Sequence, residues 1–234
     1  TFTVRKLCNV PLMPNASAAG YYRFAMPAAD WSRLSASFGA MNPSEQLSML
    51  HALRTAFRTD SKMAPAYATT LKDAVIAGEW DVVELAAQFL REIRDDFLDP
   101  ARKQDLEAAL ARAFAKPLAR LERPSGPEKP ARALGRAAHA MLAASLVREP
   151  AALATMATQG NAILDAVARG KPAGFDEMTP ALLYAAISTG GQDSARLAIS
   201  ALTATRQAEQ RNVIVRALAG AREPGAIAHV QSHV

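Results

Sequence analysis

Alanine is the residue that most constrains the fold of this chain. Fifty-two of the 234 residues are alanine, and only 6% are aromatic. Alanine is the strongest helix former, and its single methyl group lets neighbouring helices approach closely. Because half of the residues are hydrophobic, the chain can build a sizeable core without disulfides. We therefore predict an all-α fold with thin seams of alanine and leucine between helices.

Helix-start signals recur through the first half of the chain. The strongest is Asn42-Pro43 followed by Glu45, which is the pattern of a capping box with proline in the first turn. Similar patterns predict four further helices. Their first residues are Asp30 as a cap, Ala64 for a helix over 64–77, Trp80, and Pro100 after an Asp99 cap.

Three details of these helices are specific enough to test. The apolar spacing places Phe97 on the buried face of the helix that starts at Trp80. Gly78 is expected to end the third helix. Pro117 is expected to kink or divide the fifth helix, because proline lacks an amide hydrogen.

The later helices are short, and similar segments recur among them, such as LLYAAIS, LAISALTA and IVRALAGA. This pattern is typical of a HEAT-like α-solenoid, in which antiparallel helix pairs are stacked as degenerate repeats. The segment RPSGPEKP, residues 123–130, contains three prolines and no apolar residue. We interpret it as a surface loop between helices.

Residues 1–27 differ from the rest of the chain. TFTVRKL and YYRFAM show the short alternation of a strand, and prolines interrupt the pattern between them. We predict a short β segment there, followed by a helical domain over residues 28–234. The first residue, Thr1, is neither a methionine nor part of a leader sequence, so we expect the chain to be cut from a longer protein.

The charge distribution allows a nucleic-acid surface but does not favour one. Residues 102–148 hold ten basic and four acidic residues, whereas residues 79–99 hold two and seven. The basic residues are not interleaved with aromatic ones that would stack on bases, so we interpret the stretch as a solvated helix face. We expect no nucleic-acid partner. We also expect no membrane span, since no run of 18 apolar residues occurs.

No catalytic or metal-binding pattern is complete. HExxH, GxSxG, GxxxxGK[ST], GxGxxG and CxxC are all absent, and Cys8 is the only cysteine. His229 and His233 have helical spacing, but Val230 occupies the position where a metalloprotease carries its glutamate. We expect no catalytic, metal or cofactor residues in this chain. Asp95, Asp96 and the Asp176-Glu177 pair are interpreted as exposed charges or helix caps, and His51 as a structural or surface histidine.

The segment NASAAGYYRF resembles the start of the C-terminal helical domain in M1-family zinc aminopeptidases, the group of the ER aminopeptidase and aminopeptidase N. The residues that carry the resemblance are Asn15, Gly20, Tyr21, Tyr22, Arg23 and Trp31. The following NPSEQLSML and the later VRALAGAREP are also similar to that family. We interpret the six residues as structural, with Tyr22 and Phe24 packing on the first helices near Trp31.

The resemblance implies that residues 1–27 end a β-sandwich domain and that the rest forms a bowl over a separate catalytic domain. Zinc, HExxH and the GxMEN loop would belong to that domain of the same parent chain, and the other partner would be a peptide substrate. Which residues contact the peptide stays unknown. Two alternatives stay open: a stand-alone helical scaffold that binds a protein, and a basic module that binds nucleic acid. Either the cytoplasm or the periplasm suits the chain.

Overall fold

The structure is a computed structural model that describes residues 11–20, 24–77, 79–118 and 128–233. The described residues form eleven α-helices and no strand, which confirms the predicted all-α fold. The chain divides into two compact units, Thr1–Ile93 and Arg94–Val234.

The first unit contains four helices: α1 Ala28–Ala36, α2 Pro43–Thr59, α3 Ala64–Ala77 and α4 Trp80–Glu92. Its core is formed by side chains that are almost completely buried, among them Trp31, Phe38, Leu53, Leu71 and Val83. The third helix has its predicted bounds, and Gly78 lies outside the described residues. The prediction for α1 is wrong at its start, because Pro27 takes the cap position and Asp30 lies in the first turn, paired with Arg33.

The predicted capping box of α2 is confirmed. Asn42 Oδ1 accepts a hydrogen bond from the amide of Glu45 at 3.0 Å, and Glu45 Oε2 accepts one from the amide of Asn42 at 3.2 Å. Pro43 occupies the first turn, where its missing N–H is not needed. Residues 42–45 therefore cap the longest helix in this unit through contacts among themselves.

A π-helical turn, Ile93–Phe97, follows α4. Such a turn inserts extra backbone relative to an α-helix, so the residues after it leave the face that the preceding residues share. Phe97 is accordingly 47% exposed, and the prediction that it continues the buried face is wrong.

The second unit contains the other seven helices. They are α5 Pro100–Leu118, α6 Pro130–Leu142, α7 Pro150–Ala168, α8 Thr179–Thr189, α9 Gly191–Ala204, α10 Ala208–Leu218 and α11 Pro224–Gln231. Asp99 caps α5 as predicted, accepting from the amide of Arg102 at 2.9 Å. Pro117 does not divide this helix, which continues to Leu118. Pro130 is the first residue of α6 rather than the end of the predicted loop, because proline suits the first helical turn.

Helix α8 lies at the centre of the second unit, in contact with α6, α7, α9 and α10. Leu183 and Ile187 pack with Leu164 and Ile214 in one apolar cluster. A second cluster is rich in alanine, with members Ala140, Ala144, Ala181 and Ala185. The predicted seams of alanine and leucine are therefore confirmed in this unit.

The predicted β segment and the solenoid arrangement stay predictions. Residues 1–10 and 21–23, which hold most of the two predicted strands, lie outside the described residues. Residues 24–26, the end of the second predicted strand, are irregular.

Gly160 on α7 gives a test of the close contact between α7 and α8. A Cβ added there would lie 2.2 Å from the carbonyl oxygen of Leu182 on α8, a clash with rigid backbone. We expect Gly160→Ala to lower the free energy of unfolding by about 1–3 kcal/mol through overpacking, although alanine is the better helix former. Urea denaturation followed by circular dichroism measures this loss.

Gly174→Ala is the matched control, because no atom lies within 4 Å of a Cβ added there. Its free energy of unfolding should change by no more than about 0.5 kcal/mol. A Gly160→Ala protein as stable as the parent would contradict the packing described for α7 and α8.

Candidate functional site

Two of the six residues that carry the resemblance form a closed loop before α1. Asn15 Nδ2 donates to the carbonyl of Gly20 at 3.0 Å, and Asn15 Oδ1 accepts from the amide of Gly20 at 2.9 Å. Asn15 is only 4% exposed, so both of these hydrogen bonds are sheltered from water. Tyr21, Tyr22 and Arg23 lie outside the described residues.

The same loop is attached to α2 by two further hydrogen bonds. Asn15 Nδ2 donates to Ser48 Oγ at 3.0 Å, and the amide of Ser17 donates to Glu45 Oε1 at 2.7 Å. Glu45 thus closes its own capping box with one oxygen and holds the loop with the other. Glu45 therefore has two structural contacts, although it lies at an exposed helix start.

An aromatic stack continues the attachment on α1. The rings of Phe24 and Trp31 are stacked with their centroids 5.4 Å apart, and Trp31 is completely buried. This confirms the predicted packing of Phe24 near Trp31. Asn15, Gly20 and Trp31 therefore have structural contacts in the described part of the chain, which join the loop 15–20 to α2 and Phe24 to α1.

The second unit contains a cluster of three arginines, Arg94, Arg148 and Arg222. Two of them meet at one backbone carbonyl: Arg94 Nη1 and Arg222 Nη2 donate to the oxygen of Ser145 at 2.8 Å and 3.3 Å. Ser145 lies in a second π-helical turn, Ala143–Val147, and Arg148 follows this turn in a left-handed conformation with φ 51°. Arg94 and Arg222 therefore lie at the carbonyl end of α6 and its π-helical turn, where the helix dipole favours positive charge.

The three arginines differ in how their charge is balanced. Arg94 forms a two-point pair with Asp95, at 2.8 Å and 3.0 Å, and this hydrogen bonding raises the pKa of Arg94 and lowers the pKa of Asp95. Arg148 and Arg222 form no ion pair within the described ranges of this unit. Burial lowers the pKa of Arg148, and the positive charges of Arg222 and Arg94 lower it further. Tyr184 and Glu107 act in the opposite direction and raise this pKa.

This arrangement can bind an anion. Guanidinium groups recognise carboxylate and phosphate oxygens through paired, charge-assisted hydrogen bonds. An anion placed between Arg148 and Arg222 would offset both the repulsion between them and the loss of hydration that Arg148 suffers. We therefore take these two residues, with Arg94 beside them, as the candidate functional site.

The comparison with known families decides what kind of domain carries this cluster. The family model described as "ERAP1-like C-terminal domain" matches residues 11–234. The chain belongs to this family. No curated protein and no solved structure matches it. The resemblance to the C-terminal helical domain of ER-aminopeptidase-like enzymes is thus confirmed, and a domain of this type is non-catalytic in itself.

In this ERAP1-like C-terminal domain, sequence reasoning missed the arginine cluster. The sequence places Arg148 in the basic stretch 102–148, which predicts a solvated helix face, and it predicts only an exposed charge at Asp95. A signal was present, since the tripeptide Arg-Glu-Pro occurs twice, at 148–150 and 222–224. In both places the proline begins a helix, α7 or α11, so the arginine stands at a helix junction. Arg94 is distant in sequence and carries no comparable signal.

The other singled-out residues of the domain have structural contacts. Asp176 Oδ1 accepts from the amides of Met178 and Thr179 at the start of α8, as expected for a cap. His51 is exposed and lies edge-on to Phe89. The ring centroids of His229 and His233 are 4.5 Å apart, and His233 Nδ1 lies 2.9 Å from the carbonyl of His229.

Asn15→Ala tests the junction. It removes a side chain that makes three hydrogen bonds in a buried place, so we expect the free energy of unfolding to fall by about 1–3 kcal/mol. Ser17→Ala is the control, because Ser17 contributes only its backbone amide to the same loop. Urea denaturation should separate the two variants clearly. An Asn15→Ala protein as stable as Ser17→Ala would contradict the structural role.

Proposed function

We propose that this domain is the non-catalytic C-terminal part of a zinc aminopeptidase, where it encloses the active site and shapes the access of peptides. The observation that carries the proposal is the family match over residues 11–234. The partners are then the catalytic domain of the same parent chain and the peptide substrate. Enclosure by a helical domain excludes folded proteins and admits flexible peptides, because a closing element sequesters the reaction.

Zinc has its place in the catalytic domain under this proposal. Within the described ranges of this chain, no group of three His, Cys, Asp or Glu side chains could hold a metal ion. His229 and His233 supply two nitrogens at most, where a catalytic zinc needs three protein ligands. No step of the reaction is therefore assigned to residues of this domain.

The arginine cluster supplies the peptide contact in this proposal. A peptide substrate carries a terminal carboxylate, and Arg148 and Arg222 lack a carboxylate partner among the described residues. The free carboxylate of an enclosed peptide would pair with these guanidinium groups and orient the chain of the substrate. The partial burial of Arg148 strengthens such a pair, since screening by water is reduced.

The reading frame upstream of Thr1 tests whether the parent protein is a zinc aminopeptidase. We expect it to encode HExxH with a downstream glutamate and the GxMEN loop. The 234-residue chain alone should neither hydrolyse aminoacyl amides nor retain zinc after dialysis. A start codon close to Thr1, or stoichiometric zinc with peptidase activity in the chain alone, would contradict the proposal.

The carboxylate contact is tested with two peptides that differ in one group. A fluorescent hexapeptide with a free C-terminal carboxylate should bind the domain about tenfold more tightly than the same peptide with a C-terminal amide. The double variant Arg148→Gln and Arg222→Gln should lose this preference. Fluorescence anisotropy measures both affinities at one salt concentration.

The control variant removes the same charge elsewhere. Arg112 and Arg216 are exposed and form no ion pair in the described parts of the chain, so Arg112→Gln with Arg216→Gln should keep the preference for the carboxylate. Equal affinity of the parent domain for acid and amide would refute the contact. If both double variants lose the preference for the carboxylate equally, that preference is an effect of net charge and not of the arginine cluster.

A further inference from the structure

A cavity of about 540 Å³ lies in the first unit, apart from the arginine cluster. Its walls come from the end of α1, the turn that follows it, the start of α2 and the last turn of α3. Met41 and Ile76 give it apolar surface, and its polar side chains are Gln46, Asp73 and Glu79. A volume of this size is typical of sites that bind small molecules or side chains.

Gln46 is an unusual residue in the wall of this cavity. It is only 4% exposed, and its Nε2 donates to the carbonyl of Phe38 at 3.0 Å. This bond fixes the orientation of the amide, and Oε1 is left buried without a hydrogen-bond partner in the described residues. A buried acceptor without a donor is destabilising by about 1–3 kcal/mol. The cavity is therefore lined by a residue whose buried oxygen lacks an N–H or O–H donor.

The charge around the cavity selects the kind of donor. Asp73 and Glu79 line it, and neither forms an ion pair with any described residue. The carbonyl ends of two helices, α1 and α3, contribute to the same walls, and the carbonyl end of a helix carries partial negative charge. The amide end of α2 is already satisfied by its capping box. Glu79 is the cap residue of α4, and the partial positive charge of that helix end is smaller than the two full negative charges of Asp73 and Glu79.

We propose that this cavity binds an organic cation that carries an ammonium or guanidinium group on an apolar stem. The N–H groups would donate to Gln46 Oε1, and the positive charge would be balanced by Asp73 and Glu79. The stem would lie against Met41 and against Ile76, whose side chain is 51% exposed. The cation is either a free amine or guanidine, or the side chain of lysine or arginine in a peptide. This site involves only the first unit and does not depend on the function proposed above.

Two probes separate the sources of the cation. Agmatine represents the free form, and the blocked peptide acetyl-Gly-Arg-Gly-amide represents the side chain. Each is titrated into the ¹⁵N-labelled 234-residue chain, and the amide resonances of Gly39 and Gln46 and the side-chain amide of Gln46 are followed. We expect saturable shifts at these residues with a Kd on the order of 1 mM for at least one probe, since both are small.

The neutral peptide acetyl-Gly-citrulline-Gly-amide is the matched ligand control, since it has the shape of the arginine peptide without its charge. It should bind at least about fivefold more weakly. Saturation by agmatine alone assigns the site to free cations, and saturation by the arginine peptide alone assigns it to side chains. Either result supports the proposal. Absence of shifts with both probes, or equal binding of the citrulline peptide, would overturn it.

Two variants locate the binding. Asp73→Asn with Glu79→Gln should weaken the better probe at least about fivefold, whereas Glu84→Gln with Asp105→Asn, which changes two exposed carboxylates elsewhere, should leave its Kd unchanged. Gly39→Leu should also weaken binding by narrowing the cavity, because a Cβ at Gly39 meets no atom within 4 Å and the fold can accept it. An equal loss in both carboxylate pairs, or full binding by Gly39→Leu, would overturn the assignment.

Discussion

The contact between α7 and α8 is the constraint on which the second unit depends. At Gly160 the two backbones are so close that even a methyl group would meet the carbonyl of Leu182. This approach places α8 in the centre of the unit, where it contacts α6, α7, α9 and α10. The same helix carries Tyr184, whose ring lies against Gly220, two residues before Arg222.

The ends of helices set the positions of Arg148 and Arg222 in this domain. A π-helical turn stops after Val147, and Arg148 takes the left-handed conformation that lets the chain leave the helix. In both Arg-Glu-Pro segments the proline begins the next helix, while the glutamate binds amides rather than the adjacent arginine. Glu149 accepts from Ala151 and Ala152, and Glu223 accepts from Gln192. Because both carboxylates are occupied in this way, neither pairs with Arg148 or Arg222, which donate instead to the carbonyls of Ala144 and Ser145.

Local sequence signals predicted the helices well, because capping depends on residues three or four apart. Asn42 with Glu45, and Asp99 before Pro100, have the predicted contacts. The prediction that the buried face of α4 continues to Phe97 is wrong, because a π-helical turn changes the helical spacing there. Such a turn has no clear pattern in residue types. The repeated Arg-Glu-Pro tripeptide marks Arg148 and Arg222 but does not show that they lie near each other or near Arg94. The arginine cluster joins Arg94 to Ser145 and Arg222 to Ser145 across long chain separations, and only tertiary packing sets those contacts.

The same limit explains why the charge blocks of the sequence did not indicate the candidate sites. Counting charge along the chain treats neighbours in sequence as neighbours in space, and this holds only within a helix turn or a loop. The carboxylates that matter in the first unit, Asp73 and Glu79, flank a helix end, and only Glu79 belongs to the acidic stretch 79–99. Each site instead contains a polar group that has lost water without a full set of partners. Among the described residues, the partly buried Arg148 guanidinium donates to the carbonyl of Ala144 at 3.5 Å but meets no carboxylate, and the buried side-chain oxygen of Gln46 meets no donor. Because such a loss is destabilising unless a partner offsets it, it gives a physical reason to test these two places for ligands, which the number of charges nearby does not give.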